Sequence, residues 1–178
     1  ITMNNREIPL LGIVAYSGTG KTTLLKQLIP HLRQRGIRVG LIKHTHHDVD
    51  VDTPGKDSFE LRKAGADQTM VASSDRWALM TETAHQEPLD LRYLATRFDS
   101  NSLDMILVEG FKHERIDKIV LYREESGRHL EQLIDSYVIA VASNQLPALS
   151  LGSIRVLDLN KIEEIECFIV EWLEKQAN

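Results

Sequence analysis

The stretch Ala15-Tyr16-Ser17-Gly18-Thr19-Gly20-Lys21-Thr22-Thr23 follows an apolar run from Ile8 to Val14 and opens an amphipathic run from Lys21 to Arg35. That order demands a strand, a glycine-bearing turn and a helix. The spacing matches the phosphate-binding P-loop pattern of Gly, four residues, then Gly-Lys-Ser/Thr, except that Ala15 stands at the first position. Gly18 and Gly20 let consecutive backbone N–H groups turn inward as an anion cradle, and the helix beginning near Lys21 adds the positive end of its dipole. On this pattern Ser17, Gly18, Thr19, Gly20, Lys21, Thr22 and Thr23 bind a nucleotide, Lys21 reaches the terminal phosphates, and Thr22 holds Mg²⁺. A βα turn that binds nothing is the bland alternative, and it fits poorly with Gly-x-Gly-Lys-Thr-Thr placed between a strand and a helix.

At 178 residues the chain suits one core, so residues 3–178 are expected to form a single nucleotide-binding domain, with Ile1 and Thr2 before Met3 given no structural weight. Its net charge of -5 argues against a surface built mainly for nucleic acid. Cys167 is the only cysteine, which excludes an intramolecular disulfide and a cysteine-based zinc site. Apolar runs such as Met105 to Val108 and Val138 to Ala142 are far too short to cross a bilayer, and no basic-then-apolar signal opens the chain. A cytoplasmic protein without a membrane anchor is expected.

Leu24, Leu25, Leu28, Ile29 and Leu32 recur at helical spacing after the loop, with a kink expected at Pro30 and a C-cap at Gly36. Ile37 to Lys43 reads as a buried second strand. His44, His46, Asp48, Asp50 and Asp52 then alternate with Val49 and Val51. Three readings stand: an edge strand that exposes acids and buries valines, a switch-like loop beside the phosphates, or a metal site. Asp57 and Glu60 have the spacing of a capping box, and Gly65 closes that short helix. Thr69 to Ser73 and Trp77 to Thr81 read as an inserted hairpin whose Trp77, Leu79 and Met80 are expected to serve the core. A helix through Leu89, Leu91, Leu94, Ala95 and Phe98 precedes the buried strand Leu103 to Gly110, which carries an acid at each end.

Ligands of open α/β sheets lie outside the carboxyl ends of the strands, so Glu109 is on the correct side to act on Mg²⁺ or its water, whereas Asp104 lies roughly 16 Å away at strand rise. Asp52 is the next acid to consider for the ion. Lys118 to Tyr122, Tyr137 to Ala142 and Ile154 to Leu157 supply further strands. A last helix is expected with Asn160 as N-cap and Glu163 completing its box, and Cys167 beside its apolar stripe in a structural role. The fold class is therefore α/β: a P-loop NTPase with a mainly parallel sheet flanked by helices and an inserted β-hairpin.

Lys43-His44-Thr45-His46-His47-Asp48, Gly55-Lys56-Asp57-Ser58 and Val108-Glu109-Gly110-Phe111-Lys112-His113, together with the P-loop, resemble the molybdopterin-guanine dinucleotide biosynthesis adaptor protein B family over nearly the whole chain. The resemblance implies a homodimeric GTP-binding protein with weak GTPase activity. It further implies that the protein assists a partner guanylyltransferase, and other molybdenum-cofactor biosynthesis proteins, in attaching GMP to molybdopterin. Lys21 and Glu109 then carry what catalysis there is, GTP and Mg²⁺ are the ligands, and Thr22, Glu109 and Asp52 are the metal candidates. A lysine acting across the dimer in some related P-loop proteins would fall at Tyr16 and is missing, as is Asn-Lys-x-Asp for guanine. Asn144, after a late strand, is the nearest candidate for base contact. A small-molecule kinase or ligase and a metallochaperone GTPase remain as competing readings, since His44 to Asp52 would serve either.

Overall fold

The apolar run before the glycine loop forms strand β1 (Leu10–Ala15) and the run after it helix α1 (Lys21–Gln34). In the computed structural model, which describes residues 6–46, 49–83 and 88–178, there follow β2 (Val39–Lys43), α2 (Asp57–Lys63), β3 (Gln68–Ala72), β4 (Trp77–Thr81) and α3 (Leu91–Thr96). The chain ends with β5 (Met105–Glu109), β6 (Lys118–Tyr122), β7 (Val138–Ser143), β8 (Arg155–Asp158) and α4 (Ile162–Gln176). It divides into two compact units, residues 1–44 with 91–178, and residues 45–90.

In the first unit six strands pair in the order β2-β5-β1-β6-β7-β8, every pair parallel. Strand periodicity sends alternate residues to opposite faces. Leu11, Ile13, Met105, Leu107, Ile119 and Leu121 meet Leu24, Leu28 and Leu32 of α1 and Ile165, Ile169 and Trp172 of α4. Ile106 and Val108 face the other way, onto Leu91, Leu94 and Phe98 around α3. Gly40 stays a glycine for space, since a Cβ there would come 2.8 Å from Leu103. The helices α1 and α4 are also joined by Glu166, which accepts from Arg35 Nε at 2.6 Å and bonds His31 Nδ1 at 2.9 Å.

Helix α1 continues through Pro30 without a break, and its C-cap is Arg35, one residue before the expected Gly36, which takes the left-handed position that follows with φ 78°. There the N–H of Gly36 reaches the Arg33 carbonyl (2.9 Å) and that of Ile37 the Leu32 carbonyl (3.1 Å), the paired bonds of a Schellman ending. Four further expectations are corrected. Strand β2 lies at the sheet edge, so Leu41 is exposed and the strand is only half-buried. The capping box expected at Asp57 does not form: Lys56 is the N-cap and Glu60 accepts from the Gly55 N–H instead. In α4 the shift is one residue the other way: Lys161, not Asn160, is the N-cap, and Glu164 takes the Asp158 N–H. Cys167 is exposed, off the buried stripe, where it accepts from Arg35.

The second unit holds α2 and the antiparallel pair β3-β4, closed by a turn in which the Ser73 N–H reaches the Arg76 carbonyl at 2.8 Å. Trp77 is 67% exposed and Leu79 41%, so these two side chains expected in the core are on the surface beside the exposed Met70, whereas Met80 is half-buried. A two-stranded sheet has too little area of its own to bury them. His47 and Asp48 lie outside the described residues. Of the remaining ribbon, no part is a strand, and its burial departs from the alternating pattern: Val49 and Val51 are exposed, as is Asp50, whereas the Asp52 side chain is only 8% exposed. The buried Arg62 guanidinium causes this, donating to Asp50 at 2.7 Å, to Asp52 at 2.9 Å and to Glu82 at 3.3 Å while lying against the Phe59 ring.

The bond from Arg62 holds the Asp52 carboxyl below its usual range. A carboxyl whose pKa is lowered by folding contributes stability above its unfolded value, about 3.9, and that contribution is lost as pH falls through the lower folded value. Replacing Arg62 with Met should therefore lower the melting temperature at neutral pH and shrink its fall below about pH 4. Melting curves that stay parallel for the two proteins from pH 7 to 3 would contradict this role for the pair.

Candidate functional site

The glycine loop joins β1 to α1 at the carboxyl edge of the sheet. Gly20 is the N-cap of α1 with φ 95°, a left-handed value that turns the loop into the helix without steric cost. The N–H of Thr19 bonds back to the Tyr16 carbonyl at 3.2 Å, and that of Leu24 to Gly20 at 2.9 Å. Gly18, also left-handed, has no atom within 4 Å of where a Cβ would stand, so the loop is open above it. Thr19 is buried, while Ser17, Gly18, Gly20, Thr22 and Thr23 are exposed.

Glu109 ends β5, the neighbour of β1, paired in register with Ile13 on one side and Lys43 on the other. Its carboxylate is nearly buried, and Oε1 lies 3.4 Å from Lys21 Nζ and 4.0 Å from Lys43 Nζ. Two ammonium groups on one carboxylate leave excess positive charge beside the open loop, which suits a polyphosphate. The oxygen donors at hand, the Glu109 carboxylate and the Thr22 hydroxyl, are of the hard type that Mg²⁺ takes in small number while keeping several waters. The residues present therefore fit both groups. Asp52 belongs to the second unit, engaged by Arg62, and Asp104 at the far end of β5 is bound by Arg38. Among the described residues no group of three or more His, Cys, Asp and Glu is arranged to hold a metal ion.

Close packing fixes the chain just past Glu109. A Cβ on Gly110 would meet His44 Cβ at 3.1 Å and the His44 carbonyl at 3.2 Å, and the φ of 98° also favours glycine. This close approach lets the His44 N–H bond the Glu109 carbonyl at 2.9 Å and the His44 ring stack on Phe111 at 4.8 Å. The position where a lysine is missing, Tyr16, donates its hydroxyl to the His129 carbonyl at 2.6 Å, with Arg128 over its ring. Tyr16 thus fastens the chain around residues 128–132 to the glycine loop.

On the other flank, Arg123 Nε donates to the Thr19 carbonyl at 2.9 Å. Beside it, Asn144 donates to Glu125 Oε2 at 2.5 Å and accepts from the Glu124 N–H at 3.1 Å. Arg123 and Glu125 belong to no motif, and Lys43 enters the sequence reading only as the first residue of the His-rich stretch, not as a site residue. The strand-end rule that selected Glu109 would also have selected these, because Lys43 ends β2 and Arg123 and Glu125 follow β6.

Residues 10–144 match the family described as Molybdopterin guanine dinucleotide synthesis protein B. The chain is 64% identical over 170 residues to the molybdopterin-guanine dinucleotide biosynthesis adapter protein of Escherichia coli strain K12, covering 95% of each chain. It is 51% identical over 173 residues to the protein of that name from Haemophilus influenzae, covering 97% of this chain and 93% of the other. A crystal structure of molybdopterin-guanine biosynthesis protein B superposes with a TM-score of 0.75 at 27% identity, over 93% of this chain and 99% of that one.

Proposed function

The chain belongs to the molybdopterin guanine dinucleotide synthesis protein B family, and from that premise we propose that its glycine loop binds GTP with Mg²⁺ and hydrolyses it slowly. It is an adapter protein of molybdopterin guanine dinucleotide biosynthesis, with the fold of a P-loop NTPase. The observation that carries the nucleotide reading is the meeting of Lys21 and Lys43 on Glu109 beside the open loop. Backbone N–H groups of residues 18–22 would cradle the phosphates, and Lys21 would leave Glu109 for the terminal ones. Thr22 and Glu109 would hold Mg²⁺, which when bound supplies positive charge to the phosphate oxygens. Slow hydrolysis accords with this, because Glu109 serves cations rather than orienting an attacking water. The preference for GTP follows the family premise.

We also propose a homodimer, supported by the exposed Met70, Trp77 and Leu79 of the hairpin, since contiguous apolar surface of this kind marks contact sites. The guanylyltransferase that attaches GMP to molybdopterin is the partner that an adapter of this biosynthesis would serve. A cytoplasmic location accords with the single cysteine.

Lys21→Ala removes charge-assisted contacts of about 1.5 to 3 kcal/mol each, so titration calorimetry should find GTP affinity lowered more than tenfold. Unchanged affinity in the folded variant would refute the loop assignment. Glu109→Gln should slow hydrolysis well beyond its effect on GTP affinity, and a parent-like rate would remove Glu109 from the site. In sedimentation the protein should run at dimer mass and form a heavier species with the transferase, and Trp77→Ser should shift it toward monomer. A parent that stays monomeric alone and with the transferase contradicts both partners.

A further inference from the structure

The sheet order decides which way a nucleotide must lie. The cations and Glu109 gather at β1, β5 and β2, on one side of the glycine loop. With the terminal phosphates there, the nucleoside has to extend to the other side, across the carboxyl ends of β6 and β7, which span roughly 10 Å at two strand spacings. Tyr122 and Ser143 end those strands opposite each other in register. The residues that follow them are Arg123 to Glu125 and Asn144, so the nucleoside's path runs over this network.

Each member of the network has its polar groups directed. Arg123 ties it to the phosphate loop through the Thr19 carbonyl and lies with Nη1 3.8 Å from Glu125 Oε1. Asn144 is held at its oxygen by the Glu124 N–H and turns its amide onto Glu125 Oε2. Glu125 is thereby oriented from both ends, yet its side chain remains 60% exposed. Its own backbone N–H and then the Asn144 amide keep the carboxyl below its usual range, so it is an ionised, acceptor-only group at neutral pH.

We infer that Glu125, positioned by Asn144, reads the base of the bound nucleotide as guanine. Guanine presents adjacent donors, N1–H and the 2-amino group, that a carboxylate takes with both oxygens, and each oxygen here keeps a second acceptor site beyond its present contact. Adenine offers an unprotonated N1 and no group at C2, which would face the carboxylate with a lone pair. A site built to accept hydrogen bonds rejects an analogue that lacks the donors far more strongly than an apolar pocket does. Specificity is thus obtained from a strand-end turn without an Asn-Lys-x-Asp motif.

This inference rests on the GTP reading proposed above, and competition titrations with GTP, ATP and xanthosine triphosphate separate the two. Xanthine carries an oxygen where guanine has the 2-amino group, so Glu125→Gln, whose amide can donate to that oxygen, should bind GTP at least tenfold more weakly and gain affinity for xanthosine triphosphate. Glu125→Ala and Asn144→Ala should lower the ratio of GTP to ATP affinity without that gain. ATP affinity that falls in none of the three variants would support an intact phosphate cradle and a role confined to the base. A parent that binds GTP and ATP equally overturns the guanine reading of the site itself. A parent that prefers GTP, with the Glu125→Gln ratio unaltered and no xanthosine triphosphate bound, overturns the assignment to Glu125 alone.

Discussion

Lys21 and Glu109 stand 3.4 Å apart because two parallel strands end side by side. One strand opens into the glycine loop, and the other stops on an acid. A carboxylate this far withdrawn from water is costly unless cations compensate it, and Lys21 and Lys43 do so. Much of the first unit bears on this meeting. The fully buried β5 fixes Glu109 in depth, the α1 and α4 layer fixes the helix that carries Lys21, and the Gly110 approach to His44 fixes the turn beyond the acid.

The same edge of the sheet supplies the whole candidate site, with β2, β5, β1, β6 and β7 contributing in turn from their carboxyl ends. Charge changes along it. Ammonium groups surround Glu109 on one side of the loop, and a carboxylate held by an amide lies on the other. That polarity matches a molecule with an anionic end and a hydrogen-bond-donating end, as a guanine nucleotide has. In the second unit a different principle rules, for there one buried guanidinium organises three carboxylates.

The β-loop-α unit, the parallel sheet, the hairpin and the place of Glu109 were legible in the sequence because each is local or follows from strand direction. Continuous apolar runs mark β1, β5 and β6, and the strand-end rule places Glu109 beside the loop. What escaped was set by contacts distant in sequence. Asp52 turns inward against the alternating pattern because Arg62 draws it, with the exposed Asp50 reaching the same guanidinium, and no period in the ribbon encodes these ion pairs. The N-cap of α2 lies one residue before the expected position and that of α4 one residue after it, with Glu60 and Glu164 each accepting from an N–H upstream of the expected box. Arg123 and Glu125 sit in a turn that matches no motif, and the strand-end rule reaches them only together with the sheet order that sets β6 beside β1.

The central claim is that a nucleotide lies along the carboxyl edge of the sheet with its terminal phosphate at Lys21. A crystal structure of the complex with Mg²⁺ and a non-hydrolysable GTP analogue tests it most directly. The account predicts phosphates against the N–H groups of residues 18–22, Lys21 moved from Glu109 onto phosphate, and the base beyond β6 within hydrogen-bond reach of Glu125. A nucleotide bound away from the glycine loop, or one reversed so that its base lies beside Glu109, would contradict it.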